Sequence, residues 1–214
     1  MIGRDSAHKL CIVVAGGDVK EEIVHPEGAL VVCADCGYRH ARAQGIRPDA
    51  IVGDFDSWTE ELPEGVALVQ HPPEKDVTDT WLAIEYGKAQ GCEDFMIFGA
   101  FGGERIDHAV ANLQLLHRMA AEGMNGRCCY RKQSMFVHDF SRRHELEISL
   151  EEDTGFSLFS LTDVCTDVSI KNAKYPLFHA ELRNCYPLGV SNEAAEGCDH
   201  VVITASTGMM LVVV

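Results

Sequence analysis

Four carboxylates in two short clusters are the residues of this chain best suited to chemistry: Asp54 and Asp56 in Gly53-Asp54-Phe55-Asp56-Ser57, and Asp76 and Asp79 in Lys75-Asp76-Val77-Thr78-Asp79. Acids that repel one another are tolerated together only when something neutralises them, and oxygen-only ligand sets suit Mg²⁺ carrying substrate phosphates. Phosphoryl chemistry is therefore the first expectation. Asp54 and Asp56 stand two apart, so an extended backbone would set both on one face, with Phe55 turned toward the core. Asp76 and Asp79 flank Thr78 just ahead of a helical stretch from Thr80. A helix cap accounts for one of these acids but not for Lys75, a point charge able to balance a metal or reach a phosphate.

A third element is the run from Gly99 to His108, a glycine-rich turn leading into an amphipathic helix that ends near Glu122. Glycines allow close backbone approach, and amides at a helix start can hold an anion. The run is neither a P-loop nor a dinucleotide fingerprint. His108 reads as a structural hydrogen-bonding residue rather than a general base. Cys33 and Cys36 have C-x-x-C spacing without a second such pair, and Cys33 closes an apolar run, so a strand end is preferred to a zinc or redox site.

The elements that must position these residues follow from periodicity. Short apolar runs at Leu10 to Ala15, Leu30 to Ala34, Ala50 to Val52, Val66 to Val69 and Phe95 to Phe98 read as buried strands. Helical patterns near Arg39 to Gln44, Thr80 to Gln90 and Asp107 to Glu122 lie between or after them. The order predicts an α/β N-terminal domain with a mainly parallel sheet, whose ligands sit at the carboxyl ends of strands. After about Gly126 the pattern becomes short, β-rich and punctuated by turns, which predicts a smaller all-β, sandwich-like domain. The expected division is 1–126 and 127–214.

Composition narrows the function classes. The 214 residues are 46% hydrophobic, enough for a substantial core. Eighteen basic against 33 acidic residues give a net charge of -15, which argues against nucleic acid and anionic membranes as partners and leaves an anionic substrate in need of a metal bridge. The first apolar run is too short for a signal or membrane helix. Nine scattered cysteines do not form a disulfide framework, and a cytoplasmic location is expected.

Taken in order, five segments resemble the thiamine pyrophosphokinase family: Ala34-Asp35-Cys36-Gly37, the run from Gly45 to Ser57, Lys75 to Asp79, Gly99 to Leu113, and Gly189-Val190-Ser191-Asn192-Glu193. The G-D-F-D-S and G-G-x-R-x-D-H portions are the most specific. The resemblance implies a Mg²⁺-dependent thiamine diphosphokinase that transfers the pyrophosphoryl group of ATP to the thiamine hydroxyl, releasing AMP. It also implies a homodimer with the thiamine site at the subunit interface.

Carried over by motif, Asp54, Asp56 and Asp79 would hold Mg²⁺ and the ATP phosphates, and Asp35, Lys75, Asp76 and Thr78 would line the nucleotide side. Arg105 and Asp107 would lie near thiamine or the transferring group. Ser191 and Asn192 of the partner subunit would contact the pyrimidine. Asp56, Asp79 and Asp107 all stand as proton acceptors. Many members read Asp-Gly-Gly-Ala-Asn where this chain has Asp35-Cys36-Gly37-Tyr38-Arg39, and no Trp follows Asn192; Tyr186 is read as a core tyrosine rather than its substitute. The competing readings are a thiamine- or nucleotide-binding sensor without turnover and an aspartyl-phosphate-type phosphatase.

Overall fold

The computed structural model describes residues 9–55, 63–72, 74, 76–151 and 154–214. Contacts divide the chain into two units, Met1–Leu115 with Gly123–Lys132, and Leu116–Glu122 with Gln133–Val214.

The first unit contains β1 (Lys9–Val14), β2 (Leu30–Ala34), α1 (Gly37–Ala43), β3 (Ala50–Gly53), β4 (Ala67–Gln70), α2 (Asp79–Ala89), β5 (Cys92–Phe98), the start of α3 (Ile106–Glu122) and β6 (Asn125–Tyr130). Its strands lie in the order β6-β5-β1-β2-β3-β4, and every neighbouring pair is parallel. Strands β2 and β3 are buried throughout, as expected of a parallel sheet covered on both faces.

The alternation of side chains sorts the two coverings. Ile12, Val14, Val31, Cys33 and Ile51 meet Tyr38 and Ala41 of α1 on one face. On the other, Gly87 of α2 lies so close to Cys11 and Phe95 that an added Cβ would come within 2.8 Å of each. The fully buried Ile84 and the nearly buried Trp81 belong to the same helix. It begins where Thr78, in an extended conformation, accepts the Trp81 N–H at 3.3 Å; such a cap stabilises a helix by about 1 kcal/mol.

One expectation for this unit needs correction. Val66 to Val69 reads as a buried strand, yet β4 is largely exposed and Leu68 retains 43% of its surface. It is the edge of its sheet, with β3 as its strand partner, and an edge has fewer neighbours to cover its side chains.

The second unit contains β7 (Gln133–Asp139), β8 (Glu145–Ser149), β9 (Gly155–Ser160), β10 (Val164–Lys171), β11 (Leu177–Arg183), β12 (Gly189–Glu193), β13 (His200–Thr204) and β14 (Met209–Val213). Two antiparallel arrays form, β12-β9-β14-β7 and β11-β10-β13-β8. Phe156, Leu158, Met210 and Val212 from the first array meet Ile148, Val168, Ile170, Leu182 and Ile203 from the second in one core, with Phe140 fully enclosed. Burial alternates along β9 and β13, the period-two signature of a sheet with one face inward. The all-β reading of this half therefore holds. Tyr186 is not in its core: it is 65% exposed in the turn before β12, where its N–H donates to the Arg183 carbonyl.

Candidate functional site

In the first unit the chain leaves β1 toward β2 on one side, while β5 lies against β1 on the other. That reversal makes the carboxyl ends of β1 and β5 a topological switch point, where open α/β sheets bind ligands. The two loops there are joined beyond the strands. Ala15 N–H donates to the Phe98 carbonyl at 2.8 Å, Gly17 N–H to Gly99 at 2.8 Å and Asp18 N–H to Phe101 at 2.9 Å. This close pairing requires glycine: a Cβ on Gly17 would lie 2.5 Å from the Gly99 oxygen and 2.6 Å from that of Phe101. Gly102, at φ +81, would drive a Cβ to 2.6 Å from the Asp18 Cβ.

Above this floor is a pocket of about 220 Å³, lined by Gly16 and Gly17, Cys36, Thr80, the Gly99 to Arg105 loop, His108 and Asn112. Asn112 is 6% exposed and donates from Nδ2 to the Ala100 carbonyl at 2.6 Å, tying α3 to the loop after β5. The sequence reading gives Asn112 no role. Its signal is a polar residue on an otherwise apolar helix face, which becomes informative only when that face is seen to meet Ala100. His108 also lines the pocket.

Two further strand ends adjoin this region. Asp35, after β2, has φ 45 and donates its N–H to the Val52 carbonyl at 2.8 Å. A Cβ on Gly53 would lie 3.2 Å from the Asp35 Cβ, so Asp35 and Asp54 stand at adjacent strand ends. Cys36 is half-buried on the pocket wall, and burial, then the neighbouring Asp35, pushes its thiol pKa up. Cys33 is fully enclosed in β2 with its thiol pushed up to about 12 by burial, as suits a strand residue rather than a metal ligand.

The acid clusters depart from the simple extended picture. Phe55 has φ 59, a left-handed conformation, so the backbone at Phe55 is not the extended one that the same-face argument for Asp54 and Asp56 takes as its premise. Phe55 itself packs against the Ile12 and Val14 core, as expected. Asp56 and Lys75 lie outside the described residues. Asp76 is exposed, Thr78 is engaged as the helix cap, and Asp79 is the half-buried first residue of α2, placed to complement its dipole. Among the described residues no group of three or more His, Cys, Asp or Glu could hold a metal ion.

At the start of α3, Arg105 forks onto Asp107, Nε to Oδ1 at 2.9 Å and a terminal nitrogen to Oδ2 at 2.6 Å. The guanidinium holds the Asp107 carboxyl down to about 2, with smaller help from the backbone N–H groups of Asp107 and His108. Both side chains are otherwise open to solvent.

In the second unit, Ser191 is exposed at φ 61 and donates its N–H to Ser157 Oγ at 3.0 Å. Asn192 is 6% exposed and heavily committed. Its Oδ1 accepts from Tyr175 N at 3.1 Å and from Glu193 N at 2.9 Å, and its Nδ2 donates to the Tyr175 carbonyl at 2.8 Å. The amide thus clamps the segment carrying Tyr175, whose ring is exposed with Lys174 Nζ 5.7 Å from its centroid. Lys174 pairs in turn with Glu193 at 2.8 Å.

Comparison with known proteins follows this division. Residues 24–127 match the family model described as thiamin pyrophosphokinase, catalytic domain, and residues 143–210 the one described as thiamin pyrophosphokinase, vitamin B1 binding domain. A thiamine pyrophosphokinase of Bacillus subtilis (strain 168) is 28% identical over 155 residues, 70% of this chain and 71% of that protein. Among solved structures, a thiamin pyrophosphokinase family protein from Enterococcus faecalis aligns at 28% identity with a TM-score of 0.79, covering 96% of this chain and 97% of that one. The thiamine pyrophosphokinase from Bacillus subtilis aligns at 24% identity and 0.85, covering 96% and 98%. That of yeast aligns at 13% and 0.71, covering 98% and 87%. The last two speak to the fold alone.

Proposed function

The chain belongs to the thiamin pyrophosphokinase family, and from that premise we propose that it transfers the pyrophosphoryl group of ATP to the hydroxyethyl oxygen of thiamine, giving thiamine diphosphate and AMP. The observation that carries this reading is the glycine-floored pocket at the β1 and β5 strand ends, beside strand ends that present Asp35 and Asp54.

The donor set fits Mg²⁺. Asp35, Asp54, Asp76 and Asp79 offer oxygen only, and a magnesium–nucleotide site needs one or two carboxylates with phosphate oxygens and water completing the shell. In this reading Asp54, Asp56 and Asp79 hold the ion, while Asp35, Lys75 and Asp76 face the nucleotide. Thr78 contributes by starting α2 and so fixing Asp79. When bound, Mg²⁺ spreads the charge that develops on the transferring phosphates.

The remaining work falls to positioning. Attack occurs at the β-phosphorus because AMP departs, and the thiamine hydroxyl must be held in line with that leaving group. Arg105 and Asp107 lie near thiamine or the transferring group, with Arg105 oriented by its fork onto Asp107. A carboxyl held near 2 by Arg105 is a weak proton acceptor at neutral pH, which counts against Asp107 as the base. Ser191 and Asn192 serve the pyrimidine side from the partner subunit of a homodimer, Asn192 through its hold on Tyr175.

A reducing compartment, the cytoplasm, suits nine free cysteines. No helix among the described residues is long and apolar enough to cross a membrane.

Incubating the protein with ATP, Mg²⁺ and thiamine tests the reading. Thiamine-dependent AMP supports it; ATP left intact favours a sensor, and free phosphate a phosphatase.

A further inference from the structure

The glycine loop after β5 is held in two ways. Its backbone is tied along the pocket floor, where Gly99 and Phe101 accept the Gly17 and Asp18 N–H groups and the Ala100 carbonyl accepts from Asn112. Its side chains offer one further hold: Phe101 is the only large apolar residue between Gly99 and Glu104, is 9% exposed and stands outside the pocket lining. The Phe101 ring meets Tyr130, the last residue of β6, in an edge contact with centroids 6.3 Å apart and planes at 73°. Gly102 and Gly103 follow at φ +81 and +75, with no Cβ to restrict the backbone. Phe101 is thus the last apolar anchor ahead of Arg105.

Tyr130 is itself held. The Arg131 guanidinium carbon lies 5.2 Å from its ring centroid, and Arg131, at φ 56, donates its N–H to Glu21 Oε2 at 2.9 Å. Glu21 belongs to the segment that continues from Asp18, and the end of α1 fastens it: Gln44 Nε2 donates to the Glu21 carbonyl at 3.0 Å, and Gln44 Oε1 accepts the Ile23 N–H at 2.9 Å. The contacts form a circuit from Asp18 along the chain to Glu21, then through Arg131, Tyr130 and Phe101 back to the Asp18 N–H. Glu21 also carries a cost. Its Oε1 is buried and has no hydrogen-bond partner among the described residues, whereas Oε2 takes the N–H groups of both Lys20, at 3.1 Å, and Arg131. A buried carboxylate oxygen left unpaired is destabilising, and local rules broken in this way mark positions kept for function rather than for stability.

We propose that Tyr130 and Glu21 are positioning residues: through Phe101 they hold the glycine loop, and with it Arg105, against the loop after β1. They act on the pocket through its floor. A floor set before substrate arrives is what an in-line transfer gains from, since small misplacements of the reacting groups are costly in rate. The inference goes beyond the pyrophosphokinase reading in the residues it names and rests on it only for the step they serve.

Tyr130→Leu, which keeps an apolar side chain but removes the ring, tests this in the whole protein by amide exchange and steady-state kinetics. The Asp18 N–H, bonded to the Phe101 carbonyl, should exchange about two- to tenfold faster, the worth of one edge-to-face ring pair, while the Val13 N–H within β1 keeps its rate. The kcat for AMP formation should fall by about tenfold with both KM values within about twofold of wild type. Tyr130→Phe should restore both readings. Unchanged Asp18 exchange overturns the proposal, and so does equal acceleration at Val13, the mark of a merely structural role. Should Tyr130→Leu not fold, Glu21→Ala gives the same test, with Glu21→Gln as its rescue because it retains an acceptor for the Arg131 N–H. Faster exchange at Asp18 alone supports the proposal there, and any other pattern overturns it. Exchange needs no turnover, so the two proposals fail separately. Local acceleration in a protein that never forms AMP would sink the activity alone, and AMP formed at the wild-type kcat by Tyr130→Leu would sink the positioning role alone.

Discussion

Replacing Asn192 by Ala should destabilise the second unit before it does anything else. Three hydrogen bonds converge on this 6%-exposed amide, two through Oδ1 and one through Nδ2. At about 1 kcal/mol each, their loss is worth about 3 kcal/mol, more if the Tyr175 N–H is left unpaired in a buried setting. In a chain of this size that corresponds to a fall in Tm of roughly 6–12 °C. The assay is thermal and urea unfolding followed by tyrosine fluorescence, set beside the thiamine and ATP requirements of the same variant. Asn192→Asp is the informative companion, since it retains the acceptor to Tyr175 N–H and Glu193 N–H but loses the donor to the Tyr175 carbonyl. It should fall between wild type and Ala. A shift below about 1 kcal/mol in Asn192→Ala, with a raised thiamine requirement, would refute the clamp and restore direct ligand contact as the residue's role.

Three other outcomes follow from the same geometry. Asp54→Asn should abolish Mg²⁺-dependent AMP production with the circular dichroism spectrum unchanged, because it weakens a hard-cation ligand at nearly constant size; near-normal turnover would remove Asp54 from the metal set. Thr78→Ala should cost about 1 kcal/mol in denaturant unfolding through loss of the α2 cap, and an unaltered midpoint would contradict the cap. For Asp107, the folded carboxyl at about 2 lies below the ordinary value of 3.8, so whatever the fork to Arg105 contributes is fully present above 3.8 and is lost as pH falls through 2. A carboxyl-carbon NMR titration should find that low midpoint and see it return toward 3.8 in Arg105→Ala; a midpoint already near 3.8 in the intact protein would deny the fork.

How much of this was legible in the sequence depends on how local the signal is. Strands β1, β2, β3 and β5 stand out as continuous apolar runs because a parallel sheet buries both faces, and α2 is announced by Thr78 ahead of Trp81 and Ile84. Strands β6, β7, β8 and β12 were harder. In β8, Glu145 and Glu147 alternate with Leu146 and Ile148, so the period is present but short and heavily charged. In β6, Asn125, Gly126 and Arg127 hide a strand whose assignment depends on pairing with β5. At the site, the strand-end placement of Asp35 and Asp54 was readable from the βα order. The left-handed conformation of Phe55 was not, since bulky residues seldom adopt positive φ and no local signal marks one that does. Asn112 and Asn192 were likewise opaque as to role. The Asn112 partner lies 12 residues away and the Asn192 partner at Tyr175 lies 17 away, distances that only the fold brings together.

The fate of isotope in ATP labelled at the β-phosphorus tests the central claim most directly. Transfer of an intact pyrophosphoryl group places the label in thiamine diphosphate, with one unlabelled AMP formed for each. Label recovered in ADP or in free phosphate, with no labelled thiamine ester, would contradict the account.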